Sequence, residues 1–555
     1  MKPPRLSGAA LTAARIAAET PGTDAAIREI MKRSLGIDQL GALPEAWRDD
    51  LPIDARPLQA AEARRWGNAG LGALPVRAWP RPTAAYAAAF REGRVTPRQV
   101  AERALRGLDA LAERRPSMNI TIARDAEATL RDADSASARF QPGTHSIGPL
   151  DGVPFLVKDE YDVRGLPTTL GSRCSPATPA AHDAMAVARL RRSGAVFLAK
   201  TVLTEWGMSP IGGNVNQAMP HNAHHGERAP GGSSTGSAVG VAMGLAPIAT
   251  AGDGGGSIRI PAALNGVFGI KPTFGRVSRG GDGFKGSVAH CGPIACSTND
   301  LALFLTAVAA EHDEGDALTA WAPPPPAGGF GCMLGASVRG LRIGVDQDEW
   351  RDASDPVARA CREALRGLER EGAILVEVRM PLARHAARIG YLTIGPESLT
   401  AHRREWLEQR ELITEDVRLV FAVLSGISAI EQLDAQRLRA GLRREVRNVL
   451  RGVDVLAMPT TAITAPRYTE SDAKTSFSDP AALDGVCRYA FLANLTGLPA
   501  GTAPIGTDTE GLPIGLQIMG DAWDEAAVLG VLAHLERSEI ARVPRPTGAI
   551  DLLEG

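Results

Sequence analysis

Cysteine is scarce in this chain of 555 residues. The six present, Cys174, Cys291, Cys296, Cys332, Cys361 and Cys487, form no C-x-x-C pair. So few thiols offer no disulfide framework and point to a reducing, cytoplasmic setting, with most of them as small core residues. An excess of one charge is missing too: Lys+Arg number 61 against Asp+Glu 63, a net charge of −2. Nothing in that balance calls for nucleic acid or an anionic membrane as partner. No run reaches 18 apolar residues, which argues against a membrane span. Arg15 and Glu19 interrupt the apolar start of the chain, so no signal-peptide core is expected there. Internal repeats and composition breaks that would divide the chain are also absent.

What is present in quantity is glycine (60) and proline (39), about 18 % of the residues. That exceeds the average but stays short of low complexity, and implies many tight turns. Hydrophobic residues at 44 % and charged ones at 22 % are ordinary for a globular protein. Length alone suggests about three or four domains. The glycines concentrate at Pro230–Pro261, where Gly231-Gly232-Ser233-Ser234-Thr235-Gly236 and Asp253-Gly254-Gly255-Gly256-Ser257-Ile258-Arg259 bracket an apolar segment. Glycine before serine bares backbone N–H groups around a hydroxyl, as an oxyanion site for acyl transfer requires. A Gly/Ser linker is the bland alternative, but linkers do not alternate so regularly with apolar residues.

Along the chain, helices are expected at 8–19 and 24–34, within an 80-residue N-terminal extension that serves packing or self-association as a homodimer. From residue 81 to 545 helices (84–92, 96–113, 126–140, 184–193, 354–371, 524–536) alternate with strands (152–159, 195–199, 341–345, 373–378, 453–457, 513–519). Thr96-Pro97 supplies an N-cap with proline at the first helical position. The alternation predicts an α/β fold, a large mixed, mostly parallel sheet with helices on both faces. The run Gly152–Asp159 reads as a buried strand that delivers Lys158 to the sheet edge.

Lys158 in GVPFLVKD, Ser233 in PGGSSTGSA and Ser257 in DGGGSIRIPA resemble the amidase signature family of serine amide hydrolases. The intervals of 75 and 24 residues match, as do AVFLAK from Ala195, FGIKPTFGRVS from Phe268 and GLPIGLQIMG from Gly511. The resemblance covers residues 82 to 539. It implies one large mixed sheet sandwiched by helices, which overrides the length prior, and a Lys158–Ser233–Ser257 catalytic set. It also implies a cis peptide at Gly232–Ser233, hydrolysis through an acyl-enzyme on Ser257, and no metal or organic cofactor. Where many members carry Thr-Asp-Thr, this chain has Gly252-Asp253-Gly254. That departure leans away from the A-type glutaminase component of a tRNA-dependent amidotransferase, the alternative reading.

The chemistry agrees with the resemblance. A serine hydroxyl is a poor nucleophile until a neighbour takes its proton. No histidine stands at a telling position, so a lysine must do that. Lysine is a base only when neutral, and its ordinary pKa is about 10.4. An apolar setting such as Phe155, Leu156 and Val157 disfavours the charged form. Neutral Lys158 then accepts a proton from Ser233, which accepts one from Ser257. Backbone N–H groups of Gly254, Gly255, Gly256 and Ser257 are the expected oxyanion donors, next to a helix opened by Pro261. Asp253 and Arg259 brace the loop, with Ser234 beside them; Trp206, Met208 and Ser209 are candidates for the wall of a pocket for a small neutral amide.

Other motifs compete with this reading. Gly232–Gly236 also fits G-x-S-x-G, an esterase-type elbow with Ser234 as nucleophile, but no later histidine stands in a convincing strand-end loop. Gly281–Gly286 fits G-x-G-x-x-G without a following helix, and Ser471–Lys474 fits S-x-x-K without a K-T-G partner. His221, His224 and His225 lack ligand spacing and read as loop residues, not metal ligands. Cys291 and Cys296 read as core thiols.

Overall fold

The structure is a computed structural model that describes residues 4–49, 58, 79–309 and 311–554. The loops expected at 50–57 and 59–78 of the N-terminal extension lie outside the described residues.

Eleven strands build one sheet: β1 (Thr121–Ala123), β2 (Pro154–Lys158), β3 (Val196–Thr201), β4 (Ile248–Asp253), β5 (Phe268–Lys271), β6 (His290–Ala295), β7 (Arg342–Val345), β8 (Ile374–Glu377), β9 (Val455–Pro459), β10 (Ala500–Thr507) and β11 (Pro513–Met519). Their order is β1-β3-β2-β4-β6-β5-β10-β11-β9-β7-β8. The sheet is packed between helices, the α/β architecture the alternation of elements implies. Parallel pairing occurs in two blocks, β3-β2-β4 and β9-β7-β8. The other interfaces are antiparallel. The connection from Thr507 to Pro513 shows why: it is too short for a crossover, so β10 and β11 must form a hairpin.

β2 lies inside the first parallel block, and all five of its residues are buried. An unbroken apolar run is what a strand covered on both faces requires. Phe155 stands opposite Phe197 of β3 and Leu156 opposite Ala249 of β4.

Two helices, α1 (Gly8–Glu19) and α2 (Asp24–Ser34), have the boundaries expected from the sequence. Leu11 and Ala18 of α1 are buried in an apolar cluster with Trp206, Trp406 and Phe421. Arg15 and Arg418 both pair with Glu19, at 3.0 and 2.7 Å. Helices α1 and α2 are therefore packed onto the body of the protein.

Further on, α3 (Thr235–Ala242) and α4 (Arg259–Leu264) flank β4, and α5 (Ala386–Ala401), α6 (Glu415–Leu424), α7 (Ala429–Leu450) and α8 (Phe491–Thr496) stack beyond the sheet edge. All eight residues of α3 are buried. Its small side chains permit this: a Cβ on Gly240 would come within 2.5 Å of Leu156 Cδ1. The helix beginning at Pro261 starts two residues earlier than expected, at Arg259. Proline is tolerated there because N–H groups of the first turn have no helical acceptor to lose. At six residues, α4 is too short to act as a dipole for the site.

Candidate active site

β3, β2 and β4 run parallel and end together, at Thr201, Lys158 and Asp253. Crevices outside the carboxyl ends of parallel strands are where α/β sheets receive ligands. The chain leaves β4 directly into Gly254-Gly255-Gly256-Ser257, and α3 brings Ser233 and Ser234 in beside it.

Lys158 and Ser233 are 1 % and 2 % exposed, and Lys158 Nζ lies 2.9 Å from Ser233 Oγ. Nζ also lies 3.5 Å from the Gly252 carbonyl and 2.8 Å from Glu160 Oε2. The Gly232–Ser233 peptide is cis. Ser257, at 9 % exposed, is the most accessible of the three. Its carbonyl accepts from Ser234 N–H at 3.4 Å, which holds it against the residue following Ser233. The lysine–serine link is thus a hydrogen bond, whereas Ser257 is brought alongside through its backbone. Hydroxyls that exchange a proton commonly close up only once substrate is bound.

Ser234 is fully buried, and its Oγ donates to the Gly252 carbonyl at 3.2 Å. It is therefore directed into the sheet rather than toward open space, and the elbow arrangement is not formed.

The glycine loop is held from behind. Asp253 accepts from Gly256 N–H at 2.7 Å and Ile258 N–H at 3.2 Å, and pairs with Arg259 Nε at 2.9 Å. The other arms of Arg259 donate to Ala490 O, Gln517 Oε1 and Asn494 Oδ1. Both charges are fully buried. Burial pushes the Asp253 carboxyl up; Arg259, then Lys271 and Asn494, more than reverse this, leaving it well below the usual carboxylate range. One expectation is corrected here: Gly256 N–H is already donated to Asp253, so it cannot serve an oxyanion. The N–H groups of Gly254, Gly255 and Ser257 have no acceptor within the protein among the described residues.

On its open side Ser257 faces an apolar cavity. Gly207, Met208, Pro210, Gly255 and Ser257 are part of its lining. Tyr391, Ile394, Val420, Val423, Leu424 and Phe491 line it too, together with Met31 of α2 and the following Leu35 and Ile37. Among the described residues no charged side chain borders it. Gly255 has to be glycine: a Cβ there would enter the ring of Phe491. A Cβ on Gly207 would press on Ser233 Oγ at 3.2 Å.

Of the wall candidates, Met208 borders the cavity and Trp206 and Ser209 do not. Trp206 is buried between His402 and Phe421, stacked at 4.2 and 5.5 Å. Ser209 contributes backbone under Gly232 instead. The three loop histidines go separate ways, His224 to the Asn265 carbonyl, His225 to Glu227 N–H and His221 to the Tyr468 ring. Among the described residues no cluster of His, Cys, Asp or Glu is arranged to hold a metal ion. No helix among them is long and apolar enough to cross a membrane.

Sequence reasoning did not reach Glu160, Gly207, Gly252 as a space-maker, or the cavity walls outside 206–209. The pairing of Glu160 with Gly252 has a faint signal in the sequence: an acid just past Lys158, and Gly252-Asp253-Gly254 in place of Thr-Asp-Thr.

The Amidase family model matches residues 100–529. Fatty acid amide hydrolase of Oryza sativa subsp. indica is 32 % identical over 484 residues, covering 84 % of this chain and 78 % of that protein. The A-type component of the glutamyl-tRNA(Gln) amidotransferase of Chloroflexus aurantiacus is 34 % identical over 487 residues, covering 83 % of this chain and 96 % of the relative. Among solved structures, one of a vestigial protein complex that reveals the evolutionary origins of an s-triazine catabolic enzyme superposes with a TM-score of 0.76. It is 29 % identical and covers 83 % of this chain and 100 % of its own. Strand-end lysine, paired serine clusters, sheet order and this match along most of the chain lead to one conclusion: the protein belongs to the amidase family and is an amide hydrolase.

Proposed function

We propose that the protein hydrolyses carboxylic amides with an extended apolar acyl group, through an acyl-enzyme on Ser257. The observation that carries this reading is the cavity: Ser257 and Gly255 line a space that has no charged residue in its lining among the described residues. Neutral Lys158 takes the proton of Ser233, Ser233 takes that of Ser257, and Ser257 Oγ attacks the amide carbonyl carbon. The oxyanion is received by N–H groups of the Gly254–Ser257 loop, with Gly256 excluded. The C–N bond breaks as the amine leaves with a proton returned through Ser233; water then cleaves the ester, giving acid and free enzyme. No step calls on a metal or organic cofactor.

The name of the rice relative accords with this substrate class. The likeness to an amidotransferase component supports a glutaminase instead, but glutamine carries an ammonium and a carboxylate that this lining has no partner for. Ser234 as an esterase nucleophile is disfavoured by its burial and its bond to Gly252.

A series of p-nitroanilides of straight-chain acids from two to sixteen carbons tests the proposal. Each buried methylene contributes about 0.8 kcal/mol, so kcat/KM should rise about fourfold per carbon until the cavity is filled. A profile that is flat, or that favours acetyl, contradicts it.

A further inference from the structure

Two acids follow Lys158 along the chain, and they turn opposite ways. Asp159 is paired with Lys200 at 2.6 Å and accepts from Thr169 N–H at 3.1 Å. Glu160 turns back instead, placing Oε2 2.8 Å from Lys158 Nζ, with both side chains 1–2 % exposed. Room for it comes from Gly252: a Cβ there would occupy the position of Glu160 Oε1. That oxygen is buried and has no hydrogen-bond donor among the described residues. Among the described residues Lys158 is therefore the one strong partner of this carboxyl group, and its position depends on a glycine at the end of the neighbouring strand.

We propose that Glu160 is a positioning residue for Lys158, holding Nζ on Ser233 and stabilising the ammonium that forms when Lys158 takes the serine proton. The inference rests on the reading of Lys158 as the base. In that step the Ser233 O–H bond breaks and an N–H bond forms on Lys158. A positive charge then appears 2.8 Å from a carboxylate, in a site that water does not reach. A third group that orients the base and answers its developing charge is the logic of serine–histidine–aspartate sets, here built on lysine.

The charged and titratable neighbours of Glu160 are Lys158, Asp159, Asp253, Asp282, Cys291 and Tyr161. Asp159 and Asp253 are committed to Lys200 and Arg259. Burial, then the charge of Glu160, pushes Asp282 up to about 8, so it stays protonated at neutral pH. Burial likewise pushes the Cys291 thiol and Tyr161 hydroxyl up, keeping both neutral. Burial pushes the Glu160 carboxyl above its ordinary value and Lys158 pulls it back, and of these acids it is Glu160 whose oxygen lies against Lys158 Nζ. An adjacent carboxylate stabilises an ammonium, so its removal should make Lys158 a weaker base and carry the acid limb of the rate to lower pH.

The test is kcat and KM against pH, from pH 5.5 to 10, with the p-nitroanilide of a ten-carbon acid, for wild type, Glu160→Gln, Glu160→Asp, Gly252→Ala and Lys158→Met. Glu160→Gln should move the acid limb of kcat/KM down by about 1–3 pH units. Its plateau kcat should fall about ten- to hundredfold with KM within about threefold, because Glu160 touches no substrate. Glu160→Asp should recover most of the limb position. Gly252→Ala, which crowds the carboxylate off the amine, should shift the limb the same way by less, and serves if Glu160→Gln does not fold. An acid limb that stays in place or moves up in these variants overturns the proposal, as does a change confined to KM. If Lys158→Met keeps its activity, it is the reading of Lys158 that fails; if Lys158→Met is inactive and Glu160→Gln matches wild type, only the Glu160 proposal fails.

Discussion

The two walls that meet at Ser257 are assembled in different ways. The polar wall comes from one stretch of chain, Lys158 to Arg259, and depends on strand ends: β2 delivers the lysine, β4 the aspartate and glycines, α3 the paired serines. Its groups are buried and almost all satisfied, with Arg259 alone donating to Asp253, Ala490, Gln517 and Asn494. The apolar wall is gathered from distant segments, with Met31, Leu35, Ile394, Leu424 and Phe491 meeting only because α2, α5, α6 and α8 pack together. Hydrogen bonds are directional, so the first wall tolerates little change in residue type. Apolar contact is roughly proportional to area, so the second can be built from many combinations. On the proposed reading, chemistry resides in the first wall and substrate choice in the second.

That comparison can be broken most severely from the polar side. Ser257→Ala and Lys158→Met should each lower kcat/KM by about 10⁴-fold or more on every chain length, with the fold retained by circular dichroism. A loss that varies with chain length would mean that these residues bind rather than react. Arg259→Met should act on stability: stranding the fully buried Asp253 carboxylate should cost about 3–5 kcal/mol, read from urea unfolding. A change below about 1 kcal/mol would mean that the ion pair is not what holds the glycine loop. On the apolar side the effect should be smaller and selective. Met31→Trp should reduce kcat/KM about tenfold for acids longer than ten carbons and leave the acetyl anilide within about twofold. Equal effects on both would separate the N-terminal helices from the cavity.

Legibility in the sequence follows the same division. GVPFLVKD is readable as a buried strand because an unbroken apolar run has few other uses, and β2 proves to be covered on both faces. The helices of the extension are legible to the residue, since Thr20-Pro21-Gly22 and the Ser34–Gly36 stretch punctuate them. The antiparallel centre of the sheet is not, because strand periodicity carries no direction. Trp206 reads as a wall residue, yet its ring is spent between His402 and Phe421, contacts across about two hundred residues of sequence that no local pattern announces. The cavity lining is invisible for the same reason: Ile394, Val423 and Leu424 are ordinary apolar helix positions until the helices are docked. Glu160 escapes notice because an acid after a strand-end lysine reads as solvated, and only the space at Gly252 turns it inward.

The claim on which both walls depend is that Ser257 is the nucleophile, and covalent labelling tests it most directly. The purified protein would be treated with a long-chain alkyl fluorophosphonate, digested and analysed by mass spectrometry, with Lys158→Met in parallel. The account predicts one phosphonylated peptide, modified at Ser257, formed far more slowly in the Lys158→Met protein. Modification at Ser234 or Ser233, or labelling of Ser257 at the same rate without Lys158, would contradict it.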